Sequence, residues 1–192
     1  ELLTGSRLAG LKLTGFSASK PVLMVIGGSL GSVKVNQAVR SVLPQLLKTF
    51  QVIHLCGKGN LDHTLDYLPG YVQYEYMGKP LSDLFAAADI VISRAGANAI
   101  CELLALRKPA LLIPLSAEAS RGDQILNARS FQKQGFSAVL EEDQLTADTL
   151  CQNVFSLYEN RKQYIQAMES SQLADAVSQI TALLKKLAGI PS

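Results

Sequence analysis

The sequence has little of what several classes of protein need. Its net charge is only +2 and it has no block of like charges, which argues against a nucleic-acid-binding or membrane-binding surface. No apolar run approaches the length of a transmembrane helix. Cysteine is scarce: Cys56, Cys101 and Cys151 are far apart, lie in apolar surroundings and lack metal-ligand spacing. We therefore predict reduced, buried thiols in a cytosolic protein.

Catalytic signatures are also missing. The sequence contains no nucleophile elbow, no zinc cluster and no Asp-x-Asp motif of the kind that holds a metal on a nucleotide diphosphate. His54 lies in a strand pattern, where we expect it to be packed or at an edge, and His63 lies in a polar stretch without an obvious carboxylate partner. The acidic run 141–143 is expected to be a solvated loop before a helix cap at Thr146. We expect no metal and no cofactor, so phosphate chemistry would depend on backbone amides and a helix dipole.

What is present is the composition and periodicity of an α/β domain. The 192 residues are 48% hydrophobic and 18% charged, which suits a globular protein with a sizeable core. The predicted strands are 21–26, 51–55, 71–76, 89–93, 109–114 and 137–140. The predicted helices are 33–48, 81–88, 98–106, 123–134, 146–158, 161–169 and 173–187. This alternation predicts a Rossmann-like, three-layer α/β/α domain with a doubly wound parallel sheet of about six strands and a helical C-terminal tail.

Three segments are predicted along the chain. Residues 1–16 contain Gly5, Gly10 and Gly15, which we interpret as signs of a linker that leads into the domain. Residues 17–160 form the Rossmann-like domain, and residues 161–192 form C-terminal helices. Because the chain begins at Glu1 and not at a methionine, we expect it to be part of a longer protein.

In an open parallel sheet, ligands bind beyond the carboxyl ends of the strands, where helix N-termini present free N–H groups. The first such junction is GGSLGS, residues 27–32, whose glycines suit a close approach to phosphate. It is not G-x-G-x-x-G, and the acid expected about twenty residues later for an NAD ribose is absent. It is not a P-loop either. The glycines alone are equally consistent with a turn that needs positive φ.

The second junction is SRAGANAICE, residues 93–102. Gly96 and Ala97 leave the backbone uncovered, and Asn98 is the predicted N-cap of the following helix. Glu102 would lie in the first turn or just beyond it, within reach of a ligand. The alternative is a solvated glutamate that stabilises the helix dipole.

The third junction is SAEASRGDQILN, residues 116–127. Asp123, Gln124 and Asn127 are side chains of the kind that recognise sugar hydroxyls. The alternative is that Asp123 caps the helix while the two amides are exposed.

Together the three junctions resemble the C-terminal half of the MurG family, through PVLMVIGGSLGSVKVNQ, ADIVISRAGANAICELLALRKPALLIPL and ASRGDQILNA. Members of that family transfer N-acetylglucosamine from UDP-GlcNAc to lipid I, which makes lipid II for peptidoglycan, on the cytoplasmic face of the membrane. Their GT-B fold has two Rossmann-like halves, of which the N-terminal one takes the lipid acceptor. The resemblance implies that this chain is the donor-binding half, that it binds UDP-GlcNAc but is inactive alone, and that the general base lies in the other half.

The resemblance also implies a role for each junction. Backbone at Tyr76 and Met77 would read the uracil, and Glu102 would accept the ribose hydroxyls. The residues expected to meet the diphosphate are Gly28, Ser29, Gly96, Ala97, Asn98 and Ala99. The sugar would meet Asp123, Gln124 and Asn127. Some relatives have a hydroxyl residue in place of Ala99 and glutamine in place of Asp123, so those two contacts differ here.

Other interpretations of the sequence remain open. A non-catalytic nucleotide-sugar-binding subunit of a split transferase would show the same three junctions. An NAD-dependent oxidoreductase is disfavoured by the missing acid. A sugar-nucleotide epimerase would need catalytic acids and a histidine that we cannot place.

Overall fold

A computed structural model of the chain describes residues 2–28, 31–117 and 122–171. Its centre is a six-stranded sheet in the order β3-β2-β1-β4-β5-β6, in which every neighbouring pair is parallel. The strands are β1 (Val22–Ile26), β2 (Gln51–Leu55), β3 (Tyr71–Tyr74), β4 (Ile90–Ser93), β5 (Ala110–Leu112) and β6 (Ser137–Val139). The predicted six-stranded parallel sheet is confirmed.

Eight α-helices surround the sheet in the described part of the chain. They are α1 (Arg7–Thr14), α2 (Val33–Ser41), α3 (Leu43–Thr49), α4 (Leu81–Ala87), α5 (Ala97–Ala105), α6 (Asp123–Lys133), α7 (Ala147–Glu159) and α8 (Arg161–Glu169). Short 3-10 helices cover Leu2–Thr4, His63–Leu65 and Glu142–Gln144. The helix predicted at 173–187 lies outside the described residues.

The single helix predicted over 33–48 is two helices. It breaks at Val42, and Pro44 occupies the first turn of α3. Proline has no N–H and its ring collides with the carbonyl four residues earlier, here that of Arg40. The apolar pattern crosses the break unchanged, because Val39, Leu43 and Leu46 all face the sheet.

The core lies on both faces of the sheet, which accounts for the three layers. Successive residues of β1 alternate between the two faces, with Leu23 and Val25 on one and Val22 and Met24 on the other. Helices α2, α3 and α7 cover the first face, and helices α1, α4, α5 and α6 cover the second. Burial on both sides explains why the sequences of β1 and β5 are continuous apolar runs.

Most of the segment that we expected to be a linker is a helix packed against the domain. Helix α1 is capped by Ser6 and packs on α4, with Leu11 buried. A Cβ on Gly10 would overlap the carbonyl of Asp83, so this glycine permits close helix packing. The domain boundaries after residues 16 and 160 remain a prediction.

The strand order places a topological switch point between β1 and β4. From β1 the chain proceeds outwards through β2 and β3, and from β4 it proceeds the other way through β5 and β6. The loops that follow β1 and β4 therefore diverge and leave a crevice at the carboxyl edge of the sheet, the usual place for a ligand in such folds.

Candidate functional site

A cleft of about 1070 Å³ opens at this switch point. Its walls come from the turn after β1, the start of α2, the loop after β3, the junction between β4 and α5, and the start of α6. Of the residues predicted to bind the nucleotide sugar, those that line the cleft are Gly28, Tyr76, Met77, Gly96, Ala97, Asn98, Ala99, Glu102 and Gln124. The topology thus brings together groups that lie almost one hundred residues apart in sequence.

One wall is the glycine turn and the N-terminus of α2. Gly28 and Gly31 have φ angles of 87° and 73°, which a side chain would make unfavourable. A Cβ on Gly31 would also overlap the carbonyl oxygen of Cys56 at the end of β2. Ser32 caps α2, and its hydroxyl accepts a hydrogen bond from the Val35 amide. The predicted contact at Ser29 lies outside the described residues.

The facing wall is the N-terminus of α5. The helix begins at Ala97 with Gly96 as N-cap, so the prediction of Asn98 as N-cap was wrong by two residues. No side chain of the described residues caps this helix, and the first amide bonded within it is that of Ile100, which donates to the Gly96 carbonyl. The amides of Ala97, Asn98 and Ala99 come before that bond, so they have no intrahelical acceptor and carry the positive end of the helix dipole.

Glu102 lies in the second turn of α5 and lines the cleft. It is half-buried, and burial raises the pKa of its carboxyl above the usual value for glutamate. Across the cleft, Met77 and the exposed Tyr76 follow β3. A carboxylate acceptor and a short apolar loop therefore flank the positive helix end.

The floor of the cleft contains a buried ion pair that the sequence did not reveal to us. Arg94 follows β4 directly and is only 8% exposed. Its guanidinium donates to both carboxylate oxygens of Glu142, at 3.1 and 3.4 Å, and to the Ser32 hydroxyl at 2.6 Å. It also donates to the carbonyls of Ile113 and Pro114. One side chain thus joins the ends of β4 and β5 to the cap of α2 and to the 3-10 helix after β6.

The expectation of a solvated acidic loop at 141–143 was therefore wrong for Glu142. Its side chain is only 10% exposed, and it also accepts from the Ser116 amide. Burial by itself raises the pKa of Glu142, but hydrogen bonding and charge from Arg94, the Ser116 amide and the charge of Lys34 outweigh it. The pKa lies below the usual value, so the pair is charged at neutral pH. The sequence did contain one signal for this pair. Arg94 stands between a buried strand and small residues, and a buried guanidinium needs an acidic partner.

The start of α6 contributes less than we expected. Gln124 lines the cleft, and its side-chain oxygen accepts from the Leu115 amide at 3.2 Å. Asp123 is exposed in the first turn and is not among the cleft-lining residues. Asn127 is not among them either, and it donates to the Ala95 carbonyl at 3.0 Å, which fixes the loop before α5. The structure therefore brings one of the three proposed sugar contacts to the cleft wall.

The histidines and cysteines lie outside the cleft wall. His54 is fully buried, which confirms that it is packed. His63 has a partner after all, because its Nδ1 lies 2.9 Å from a carboxylate oxygen of Asp66. The prediction of buried thiols holds for Cys56, whereas Cys101 is exposed and Cys151 is intermediate.

Two further observations concern metals and membranes. Within residues 2–28, 31–117 and 122–171, no three His, Cys, Asp or Glu side chains are grouped so as to hold a metal ion. None of the helices in these ranges has both the length and the apolar character needed to cross a bilayer.

Comparison with known proteins gives the family. The profile of the glycosyltransferase family 28 C-terminal domain matches residues 22–183. Two similar curated relatives are the UDP-N-acetylglucosamine--N-acetylmuramyl-(pentapeptide) pyrophosphoryl-undecaprenol N-acetylglucosamine transferases of Lachnoclostridium phytofermentans and Lachnospira eligens, both 60% identical over 187 and 185 residues. A transferase of the same name from Clostridium botulinum is 55% identical over 186 residues. These alignments cover 96–97% of this chain but 52–53% of each relative, so the chain spans about half their length.

Solved structures agree on the fold. MurG of Acinetobacter baumannii superposes with a TM-score of 0.70 at 23% identity, over 94% of this chain and 55% of that one. The glycosyltransferase VinC, solved with dTDP, superposes with a TM-score of 0.63 at 18% identity, over 91% and 43%. The fold is one Rossmann-like half of a GT-B glycosyltransferase. The chain belongs to the glycosyltransferase family 28 C-terminal domain family, and the resemblance to MurG predicted from the sequence is confirmed.

Proposed function

We propose that this chain is the donor-binding half of an inverting glycosyltransferase that transfers N-acetylglucosamine from UDP-GlcNAc to lipid I to make lipid II. The observation that carries the proposal is the cleft at the switch point, where the N-termini of α2 and α5 converge above Arg94. Two helix N-termini suit a diphosphate without a metal. The names of relatives at 60% identity supply the substrates.

Each part of the donor has a proposed partner. The free amides of Ala97, Asn98 and Ala99 and the glycine turn at Gly28 and Ser29 bind the diphosphate, and Glu102 accepts the ribose hydroxyls. Backbone at Tyr76 and Met77 reads the uracil. Gln124, with Asp123 and Asn127, binds the sugar. The residues that line the cleft have structural support for these roles. Asp123 and Asn127 do not line the cleft, so their roles rest on the resemblance alone.

The proposed reaction follows from these positions. The 4-hydroxyl of the acceptor attacks the anomeric carbon of the donor, the bond from that carbon to the diphosphate oxygen breaks, and UDP leaves. Negative charge grows on the diphosphate, where the helix N-termini stabilise it without reorganisation. Glu142 is held by Arg94, which argues against it as the general base. The base and the lipid acceptor site are proposed to lie in the other half of the longer protein, which we place peripherally on the cytoplasmic face of the membrane.

Calorimetry with UDP-GlcNAc, UDP-glucose, UDP-GalNAc and NADH, with and without magnesium, tests the proposal. We expect UDP-GlcNAc to bind, and its affinity not to change when magnesium is chelated. Glu102→Gln should weaken the binding of UDP, while Glu159→Gln, at the exposed end of α7, serves as the matched control. Tight binding of NADH, or no binding of UDP by folded protein, would contradict the proposal.

A further inference from the structure

A buried polar network lies behind the α2 wall of the cleft. His54, in β2, is completely shielded from solvent, and each of its ring nitrogens has a partner. Nε2 lies 2.9 Å from the side-chain oxygen of Asn36 in α2, and Nδ1 lies 2.9 Å from the hydroxyl of Tyr71 in β3. The network therefore joins two neighbouring strands to the helix whose N-terminus faces the cleft.

The direction of each hydrogen bond follows from Asn36. Its amide nitrogen donates to the carbonyl of Cys56 at 2.9 Å, which leaves its side-chain oxygen to face His54 as an acceptor. His54 must then carry its proton on Nε2, and its bare Nδ1 accepts from the Tyr71 hydroxyl. Burial, and then the charge of Arg40, lower the pKa of His54 to about 3, so the ring is neutral at physiological pH.

The Cys56 carbonyl is where this network meets the cleft. On one side it accepts from Asn36, and on the other the bare Cα of Gly31 packs so closely that a Cβ would overlap it. Gly31 lines the cleft and immediately precedes Ser32, the N-cap of α2. The same carbonyl therefore fixes both the first turns of α2 and the turn that leads into them.

We propose that His54 is a positioning residue for the ligand of the cleft. Its Nε2 proton orients the amide of Asn36, the amide holds the Cys56 carbonyl against Gly31, and the amides at the start of α2 are thereby aimed at the diphosphate. His54 itself lies behind the wall and does not touch the ligand. The inference rests on the proposed function, since it concerns the same nucleotide.

Two substitutions of His54 separate positioning from simple packing. In His54→Gln, the amide nitrogen takes the place of Nε2 and still donates to Asn36. In His54→Asn, the shorter side chain reaches only the Nδ1 position. It therefore keeps the hydrogen bond with Tyr71 and loses the one with Asn36. Both variants remove the ring, and His54→Asn leaves the larger space because its side chain is one methylene shorter, so the UDP affinity of the folded variants is compared and not their stability. We expect His54→Asn to bind UDP about tenfold more weakly than the natural chain, and His54→Gln to remain within about twofold.

Calorimetric affinity for UDP is the readout, and unfolding in urea shows that each variant is folded. Tyr71→Phe is the control on the far side of the ring: it removes one hydrogen bond of the network and should lower stability without changing UDP affinity. If His54→Asn does not fold, Asn36→Ser takes its place, because it deletes the bond to Cys56 and should weaken UDP binding equally.

The outcomes distinguish this inference from the proposed function. If the natural chain is folded and does not bind UDP, the proposed function fails. If the natural chain binds UDP and the two His54 variants bind it equally, the positioning role fails while the proposed function stands. The positioning role also fails if Asn36→Ser binds UDP as tightly as the natural chain does.

Discussion

Replacing Glu142 with glutamine should destabilise the domain far more than its position in a polar loop indicates. The change keeps the shape of the side chain but removes the charge that faces Arg94. The side chains of Arg94 and Glu142 are each only 10% exposed. Breaking a buried ion pair from one side typically costs about 3–5 kcal/mol. We expect a loss of about 3 kcal/mol, at the lower end, because the carbonyls of Ile113 and Pro114 and the Ser32 hydroxyl still accept from Arg94.

The loss should also depend on pH, with a definite sign. The pKa of Glu142 is lowered in the folded chain, so its contribution to stability is complete above the ordinary glutamate pKa and disappears as the pH falls through the folded value. The difference in unfolding free energy between the natural chain and Glu142→Gln should therefore be large at pH 7 and shrink in acid.

Urea unfolding followed by circular dichroism at pH 7 and at about pH 3, below the usual glutamate pKa, measures both effects. The neighbouring Glu141 provides the matched control. It pairs at 3.4 Å with Arg129, whose side chain is 66% exposed, so Glu141→Gln should cost about 0–1 kcal/mol. A cost for Glu142→Gln as small as that of the control, or one that does not change with pH, would refute the reasoning.

Two further predictions concern the cleft and the N-terminal helix. Burial raises the pKa of Glu102, and its carboxylate form is the one proposed to accept from ribose. The affinity for UDP-GlcNAc, whose esterified diphosphate does not titrate between pH 4 and 7, should therefore fall at a higher pH than for an exposed glutamate as the solution is acidified. Calorimetry across pH 4 to 7 should show that fall in the natural chain, and a Glu102→Gln variant that kept it would contradict the assignment. Alanine is a better helix former than glycine by about 1 kcal/mol, yet Gly10→Ala should lower the melting temperature, because its Cβ would overlap the Asp83 carbonyl of α4. An increase in melting temperature would show that α1 can move away from α4 at little cost.

Local patterns were sufficient to predict much of the fold. Strands such as β1 and β5 are apolar throughout because helices cover both faces of the sheet, and the lengths and order of the strands give a parallel sheet. The break between α2 and α3 was also visible in principle, since Pro44 stands in the middle of the apolar pattern. Helix α1 was missed because Gly5 and Gly10 serve contacts with α4, a partner that lies more than seventy residues away in sequence.

The site was predictable only in part, for a similar reason. Residues next to each strand end, such as Gly96 and Glu102, could be assigned to a ligand edge because parallel strands share that edge. The Arg94–Glu142 pair spans 48 residues, and nothing local distinguishes Glu142 from Glu141 and Asp143 beside it. Asn98 was favoured as N-cap by its side chain, yet the helix begins at Ala97 and no side chain among the described residues caps it.

Because no side chain in the described part of the chain caps α5, the stability of that helix should depend on what occupies the cleft. In α2 the Ser32 hydroxyl accepts from the helix, whereas within residues 2–28, 31–117 and 122–171 no side chain accepts from the first amides of α5. A bound diphosphate would act as the missing cap, and by thermodynamic linkage a ligand at one hundred times its dissociation constant stabilises the folded chain by about 2.7 kcal/mol. Ligand binding in the cleft should thus slow the amide hydrogen exchange of the first turn of α5, and the exchange rate of these amides would report how much of the cleft is occupied.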